Sequence, residues 1–171
     1  MAAGSLMLGI VLAVLMILYQ RGAFLPSWVE WDRQSADTLP EELAGRLDPS
    51  WLLQQAVSFD IDGNGEEEQI LLLWKKGSYG GKMPTWVRHN DRGFSQHIFI
   101  YTPEEGEWKP IWMSSALSMQ AVSLSEGDII PGTGRKSLEI LQADGRVSRW
   151  GWLAWGLMEA GTDRKDGAAG P

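Results

Sequence analysis

The segment Phe59–Trp74 reads FDIDGNGEEEQILLLW, and the interpretation of the whole chain starts from it. Counted from Asp60 as position 1, oxygen-bearing side chains fall at positions 1, 3 and 5, which are Asp60, Asp62 and Asn64. Oxygens at this spacing can surround one hard cation, and the glycine at position 6 permits the sharp turn that such a loop makes. The spacing therefore predicts a calcium-binding loop.

The residues after the loop decide which elements it connects. A helix–loop–helix calcium site needs a bidentate glutamate at position 12, and position 12 here is Leu71. The flanking segments 57–59 and 70–74 are strand-like and lack helical periodicity. We therefore expect a loop between two strands, in which Glu66 at position 7 would offer its backbone carbonyl and Glu68 is the last carboxylate.

This pattern, Asp-x-Asp-Gly-Asn-Gly-x-x-Glu before an apolar strand, resembles the calcium loops of FG-GAP/VCBS-type repeats. Such repeats occur in the β-propellers of integrin α-chains and in many bacterial surface proteins. The resemblance implies that the side chains of Asp60, Asp62, Asn64 and Glu68 and the main chain of Glu66 hold a structural Ca²⁺ ion. A closed propeller needs about 4–8 four-stranded blades, and this chain has strands for only one or two.

A metal-free turn is the alternative, because Asp, Asn and Gly are also common in simple hairpin turns. Against it, the loop gathers five carboxylates, and no lysine or arginine follows before Lys75. Clustered like charges are costly without a neutralising cation. An all-oxygen ligand set favours calcium over magnesium or manganese. The five carboxylates belong to Asp60, Asp62, Glu66, Glu67 and Glu68.

The rest of the chain is typical of a mainly β protein. Two pairs of β-rich segments flank strong turn signals and predict hairpins. The segment Asp128–Gly134 (DIIPGTG) also echoes Asp60–Gly65 as a degenerate repeat that has lost its acidic pattern. We expect a small antiparallel β domain over residues 51–159, resembling one or two propeller blades. The predicted hairpins are Gln96–Thr102 with Trp108–Met113, and Ser137–Gln142 with Arg146–Met158.

The N-terminal segment Met1–Tyr19 carries no charged side chain. Its length and flanks predict a membrane-spanning anchor over residues 1–22, with a cleaved signal peptide and a buried core helix as alternatives. Residues 23–50 then form a juxtamembrane linker with a short helix at Pro40–Leu47, and residues 160–171 a disordered tail. We expect a single-pass protein of the cell membrane whose domain lies outside the cytoplasm, where millimolar calcium would fill an exposed loop.

Composition narrows the classes of function. A formal net charge of −7 argues against a nucleic-acid partner, and the absence of cysteine removes disulfides and thiolate chemistry. The ten tryptophans suit either a packed core or an exposed binding face. Of the two histidines, His97 lies in an alternating strand and reads as structural, whereas His89 lies in a polar loop. No catalytic motif is present, so we expect no enzyme.

These observations together predict a function in binding. We expect a membrane-anchored extracytoplasmic binding or scaffolding module, stabilised by a structural calcium ion, with a protein or glycan partner. The alternative is a cell-envelope hydrolase or carbohydrate-binding module that uses exposed tryptophans and carboxylates.

Overall fold

The computed structural model of this 171-residue chain describes residues 2–20, 39–77, 93–154 and 156–164. Two helices and eight strands lie within these ranges. In chain order they are α1 (Ala2–Gln20), α2 (Glu41–Ala44), β1 (Leu52–Phe59), β2 (Glu68–Lys76), β3 (Phe94–Glu104), β4 (Glu107–Met113), β5 (Ala121–Ile129), β6 (Lys136–Gln142), β7 (Arg146–Leu153) and β8 (Gly156–Arg164).

The described strands form two four-stranded antiparallel sheets, ordered β1-β2-β3-β4 and β5-β6-β7-β8. Each strand pairs with the next one along the chain, so each sheet is a meander of hairpins. The expectation of a mainly β, antiparallel domain is confirmed, and both predicted hairpins are present. The acidic loop and the segment 130–135 occupy the same place in the two sheets, because each is the first connection of its meander.

The two sheets pack face to face around a shared apolar core. Strands expose alternate residues to opposite faces, and one face of each sheet contributes to this core. Ile70 and Leu72 come from the first sheet, Leu138 and Ile140 from the second, and Ile61 from the acidic loop. The loop is therefore fixed to the core by its own side chain.

The first sheet is buried on its outer face as well. Leu71, Leu73 and Phe99 point away from the second sheet and pack with Leu43 of α2, which is fully buried. Half-buried Trp51 completes this second cluster. Coverage on both faces explains why β2 is a continuous apolar run instead of an alternating one.

Glutamine side chains of the first sheet bind the backbone of β5, which is an edge strand of the second sheet. The Oε1 atom of Gln96 accepts from the Ala121 N–H at 2.6 Å, and its Nε2 atom donates to the Ala121 carbonyl at 2.7 Å. Gln55 pairs in the same way with Leu124, at 2.6 and 2.9 Å. Each amide thus supplies the donor and acceptor that a neighbouring strand would otherwise provide.

Gln54 connects this pairing to the interior of the first sheet. Its Oε1 atom accepts from Trp74 Nε1 and from Gln96 Nε2, both at 2.8 Å, and its Nε2 atom donates to the Val122 carbonyl at 2.8 Å. Gln54 and Gln96 are almost wholly buried. A buried polar network in which these amides find partners rigidifies the arrangement that it joins.

The helix α1 lies within the segment predicted as a membrane anchor, residues 1–22. Its described side chains, residues 7–18, are all exposed. Within the described residues, no helix is long and apolar enough to cross a membrane. The prediction of a membrane-spanning helix is not borne out by this part of the chain.

The C-terminal strands differ from the sequence prediction. The segment predicted as one strand, Arg146–Met158, is divided between β7 and β8, and the chain turns at Ala154, where φ is 49°. β8 then continues to Arg164, past the start of the predicted tail, because β7 offers it a pairing partner along its length. His89, which the sequence places in a polar loop, lies outside the described residues.

We predict that Gln96→Leu destabilises the fold strongly. Leucine fills a similar volume but leaves the buried Ala121 N–H without a partner and its carbonyl with only the long 3.4 Å bond from Gln54 Nε2, which costs roughly 1–3 kcal/mol in the free energy of unfolding. Gln69→Leu is the matched control, because Gln69 bonds only to the exposed Ser58 hydroxyl. Urea denaturation measures both variants, and equal losses would contradict a special role for the amide pairing.

Candidate metal centre

The acidic loop joins β1 to β2, as the sequence predicts, and residues of the core hold it at both ends. Ile61 near its start is fully buried in the inter-sheet core. Glu68 at its end is the first residue of β2, pairs with Phe59 across the hairpin and is also fully buried. The loop is therefore a fixed part of the fold, and the exposed portion lies between these two residues.

Three carboxylates converge at this loop. One oxygen each from Asp60, Asp62 and Glu68 lies within 4.8 Å of the others. The two aspartates are half-buried, and Glu68 is inaccessible to solvent. Three of the five predicted ligand residues are thus brought together, on the buried side of the loop.

The loop keeps its shape through hydrogen bonds from its own backbone to its carboxylates. Asp60 accepts N–H groups from Gly63 at 2.6 Å, Asn64 at 3.1 Å and Gly65 at 2.9 Å. Asp62 accepts the Asn64 N–H at 3.0 Å. This pattern is also what a metal-free Asx turn uses, so both interpretations of the loop explain its conformation.

Glu68 lies in a different environment from the aspartates. Its Oε2 atom accepts the Ile61 N–H at 3.0 Å, and its Oε1 atom accepts the Thr102 hydroxyl at 3.1 Å. Burial raises the pKa of Glu68, and the nearby negative charges of Asp62 and Asp60 add to that rise against the two hydrogen bonds. A cation among the three carboxylates would remove this penalty on the ionised form.

Enough acceptor capacity remains for a cation. A carboxylate offers about four lone-pair directions, and Asp60 uses three of them on backbone donors, Glu68 two and Asp62 one. All three side chains therefore keep at least one free lone pair. Their hard oxygen donors match the preference of Ca²⁺.

The remaining predicted residues lie on the exposed side of the loop. The Asn64 Oδ1 atom accepts the Glu66 N–H at 2.7 Å, which leaves it a second lone pair for a ligand bond. The Glu66 carboxylate is exposed and is not among the three that converge. Glu67 turns away to accept the Ser58 hydroxyl at 3.0 Å.

Basic side chains of the second sheet lie near the acidic loop. The sequence did not predict this proximity. A Cβ atom added to Gly63 would lie 3.0 Å from Cγ and 3.2 Å from Nε of Arg135, so the arginine side chain rests against the loop backbone. Its Nη1 atom donates to the Trp152 carbonyl at 3.0 Å. Bonding to Glu126 raises the pKa of Lys136, and Glu67 and Asp60 add to the rise. The basic residues near the loop therefore come from a distant part of the chain, just after the degenerate repeat Asp128–Gly134.

Outside the loop, the described histidine and tryptophans occupy buried or half-buried positions. His97 is fully buried, with Nε2 2.9 Å from the Ser95 hydroxyl and Nδ1 3.1 Å from the Ser114 carbonyl oxygen, as expected of a structural histidine. None of the six described tryptophans is exposed, so they form no open platform of rings. They are Trp51, Trp74, Trp108, Trp112, Trp150 and Trp152.

Comparison of the chain with models of protein families, with curated proteins and with solved structures gives no match.

We predict a specific pH dependence of stability in EDTA. The pKa of Glu68 is higher in the folded than in the unfolded chain, so the folded state binds more protons between those two values. Stability from this group is therefore present below its ordinary pKa and falls as pH rises through the raised one. Glu68→Gln abolishes the titration. Urea unfolding from pH 4 upward should show wild type losing stability relative to this variant, and a constant difference would contradict the assignment.

We also predict that the contact between Arg135 and the loop can be measured through glycine substitutions. Gly63 and Gly65 both have positive φ, so alanine at either position costs about 1–2 kcal/mol. Alanine at Gly63 additionally crowds Arg135, whereas alanine at Gly65 meets open space. The cost of Gly63→Ala should fall in an Arg135→Ala background while the cost of Gly65→Ala stays unchanged. Equal behaviour of the two would show that Arg135 does not press on the loop.

Proposed function

We propose that the chain is a non-catalytic, extracytoplasmic binding or scaffolding module in which one structural Ca²⁺ ion occupies the acidic loop. The observation that supports the proposal is the convergence of Asp60, Asp62 and Glu68 within 4.8 Å, with the Glu68 carboxylate fully buried. Buried carboxylates are normally paired or bound to a metal. Among the described residues, no salt bridge within 4.0 Å involves Asp60, Asp62 or Glu68.

The ligand set proposed for the ion is the one that the spacing predicts. Asp60, Asp62, Asn64 and Glu68 supply side-chain oxygens, and Glu66 supplies its carbonyl. Calcium accepts such an irregular set of oxygens, whereas Mg²⁺ demands near-octahedral geometry and gives up its waters reluctantly. A loop with exposed ligands on one side binds weakly, which suits the millimolar calcium found outside cells.

The role proposed for the ion is to stabilise the fold. Asp60 follows the end of β1 and Glu68 begins β2, so one ion bound by both would hold the two sides of the loop together at the turn of the first hairpin. The ion binds the folded chain and not the unfolded one, which raises the free energy of unfolding by mass action. Because Gly63 carries the contact with Arg135, an ordered loop also supports the packing of the two sheets.

We further propose that the loop is of the FG-GAP/VCBS type. Two four-stranded meanders with equivalent first connections are consistent with two consecutive repeats, of which only the first has kept its carboxylates. Two such units are too few for a closed propeller.

The test is thermal melting of the full chain in EDTA and in millimolar CaCl₂. Calcium at one hundred times its dissociation constant contributes about 2.7 kcal/mol, which corresponds to a rise in melting temperature of roughly 5–10 °C for a domain of this size. Equimolar Mg²⁺ should give a smaller rise.

Asp62→Asn and Asp128→Asn form the matched pair of variants. Both replace one aspartate, but Asp128 is exposed and precedes the connection of the second sheet that has no cluster of carboxylates. We expect the calcium-dependent rise to shrink in Asp62→Asn and to persist in Asp128→Asn. A melting temperature that calcium leaves unchanged, in a folded wild-type protein, would refute the metal site.

A further inference from the structure

A cavity of about 490 Å³ opens between the two sheets, away from the acidic loop. Half-buried rings of Trp112 from β4 and Trp150 from β7 form part of its wall, together with Leu117 and Ile140. Its volume falls within the range of about 300–1,000 Å³ that is usual for small-molecule sites. Two of the half-buried tryptophans thus line a cavity that is open to solvent on one side.

Two polar side chains at the wall of this cavity keep unused hydrogen-bonding capacity. Ser148 is fully buried, and its Oγ atom accepts from Trp150 Nε1 at 2.9 Å and from Gln142 Nε2 at 3.1 Å, which leaves its proton free to be donated. The Oε1 atom of Gln142 is buried and has no hydrogen-bond partner among the described residues. A buried polar atom left in this state costs about 1–3 kcal/mol. The pair therefore offers a donor and an acceptor to a molecule that enters.

The remaining chemistry of the wall restricts the class of ligand. Of the described residues that line the cavity, none is charged, and several carry hydroxyl groups, including Ser114. An ion in such surroundings would lose its hydration without gaining a counter-charge. Methionines flank the lining, with Met113 48% and Met119 37% exposed, so the wall continues into an apolar rim.

We infer that this cavity binds a neutral sugar ring. A pyranose has an apolar face of C–H groups that packs on an indole ring, and its hydroxyls both donate and accept, as the Ser148 and Gln142 pair requires. The inference rests on the proposed function as a binding module and names the class of ligand that this module would bind. It shares no residue with the acidic loop, so a failure of calcium binding and a failure of sugar binding are separate results.

The position of Trp112 depends on a glycine of the other sheet. A Cβ atom added to Gly156 of β8 would lie 2.7 Å from Nε1 and 2.8 Å from Cδ1 of that ring. Gly156→Ala therefore displaces one wall of the cavity. Gly161→Ala in the same strand meets open space and is its matched control.

The experiment is saturation-transfer NMR on the full chain in EDTA, with a panel of neutral sugars at millimolar concentration. The panel contains glucose, galactose, N-acetylglucosamine and their disaccharides, with glucuronate as a charged ring of the same shape. We expect transfer to at least one neutral sugar and none to glucuronate. Ser148→Ala and Gly156→Ala should weaken binding about five- to ten-fold, as the loss of one hydrogen bond or ring contact predicts. Ser125→Ala, on the exposed surface, and Gly161→Ala should leave it unchanged.

Three outcomes would overturn the inference. The first is a folded wild-type protein that shows no saturation transfer to any neutral sugar, which would mean that the cavity holds only water. The second is binding that neither Ser148→Ala nor Gly156→Ala weakens, which would place the sugar elsewhere. The third is transfer to an uncharged leucine-rich peptide and to no sugar, which would make the cavity a site for a protein partner.

Discussion

The arrangement of the two sheets depends on glutamine side chains. Their amide groups form the hydrogen bonds that the backbone of a neighbouring strand would otherwise form. Gln55 and Gln96 each satisfy both the N–H and the carbonyl of one residue on the edge of β5. This fixes the second sheet against the first in register as well as in distance, because a shift along the strand would break donor and acceptor together. Apolar packing alone tolerates sliding, whereas paired hydrogen bonds in a buried site do not.

The cavity lies between the two sheets, and the acidic loop of the first sheet lies against Arg135 of the second, so both candidate sites depend on that register. Arg135 of the second sheet reaches Gly63 of the acidic loop, and Trp112 of the first reaches Gly156 of the second. The two sites have opposite chemistry. One brings three carboxylates together around a buried glutamate, and the other is uncharged and aromatic.

The sequence predicts the parts of this structure that arise from neighbouring residues. The loop between strands follows from Leu71 at position 12, and the β6–β7 turn follows from Asp144–Gly145, since turns and alternation are local properties. The amide pairing of Gln55 was not predictable, because its partner Leu124 is 69 residues away. The same holds for Arg135 at Gly63 and for the cavity wall of Trp112 and Trp150. Each of these contacts exists only after the sheets meet.

The division between local and distant contacts has a consequence for how the chain folds. Each meander closes through neighbouring hairpins, which form with little loss of loop entropy. Gln54 and Gln55 bind residues about seventy positions away and Gln96 one that is 25 away, and none of these bonds forms until both sheets are in place. We therefore expect assembly in two stages, with sheet docking as the slow one. Before the sheets dock, the unpaired backbone groups at the edge of β5 are exposed and can pair with strands of other molecules. Docking ends this exposure, because the glutamine side chains then bind those groups.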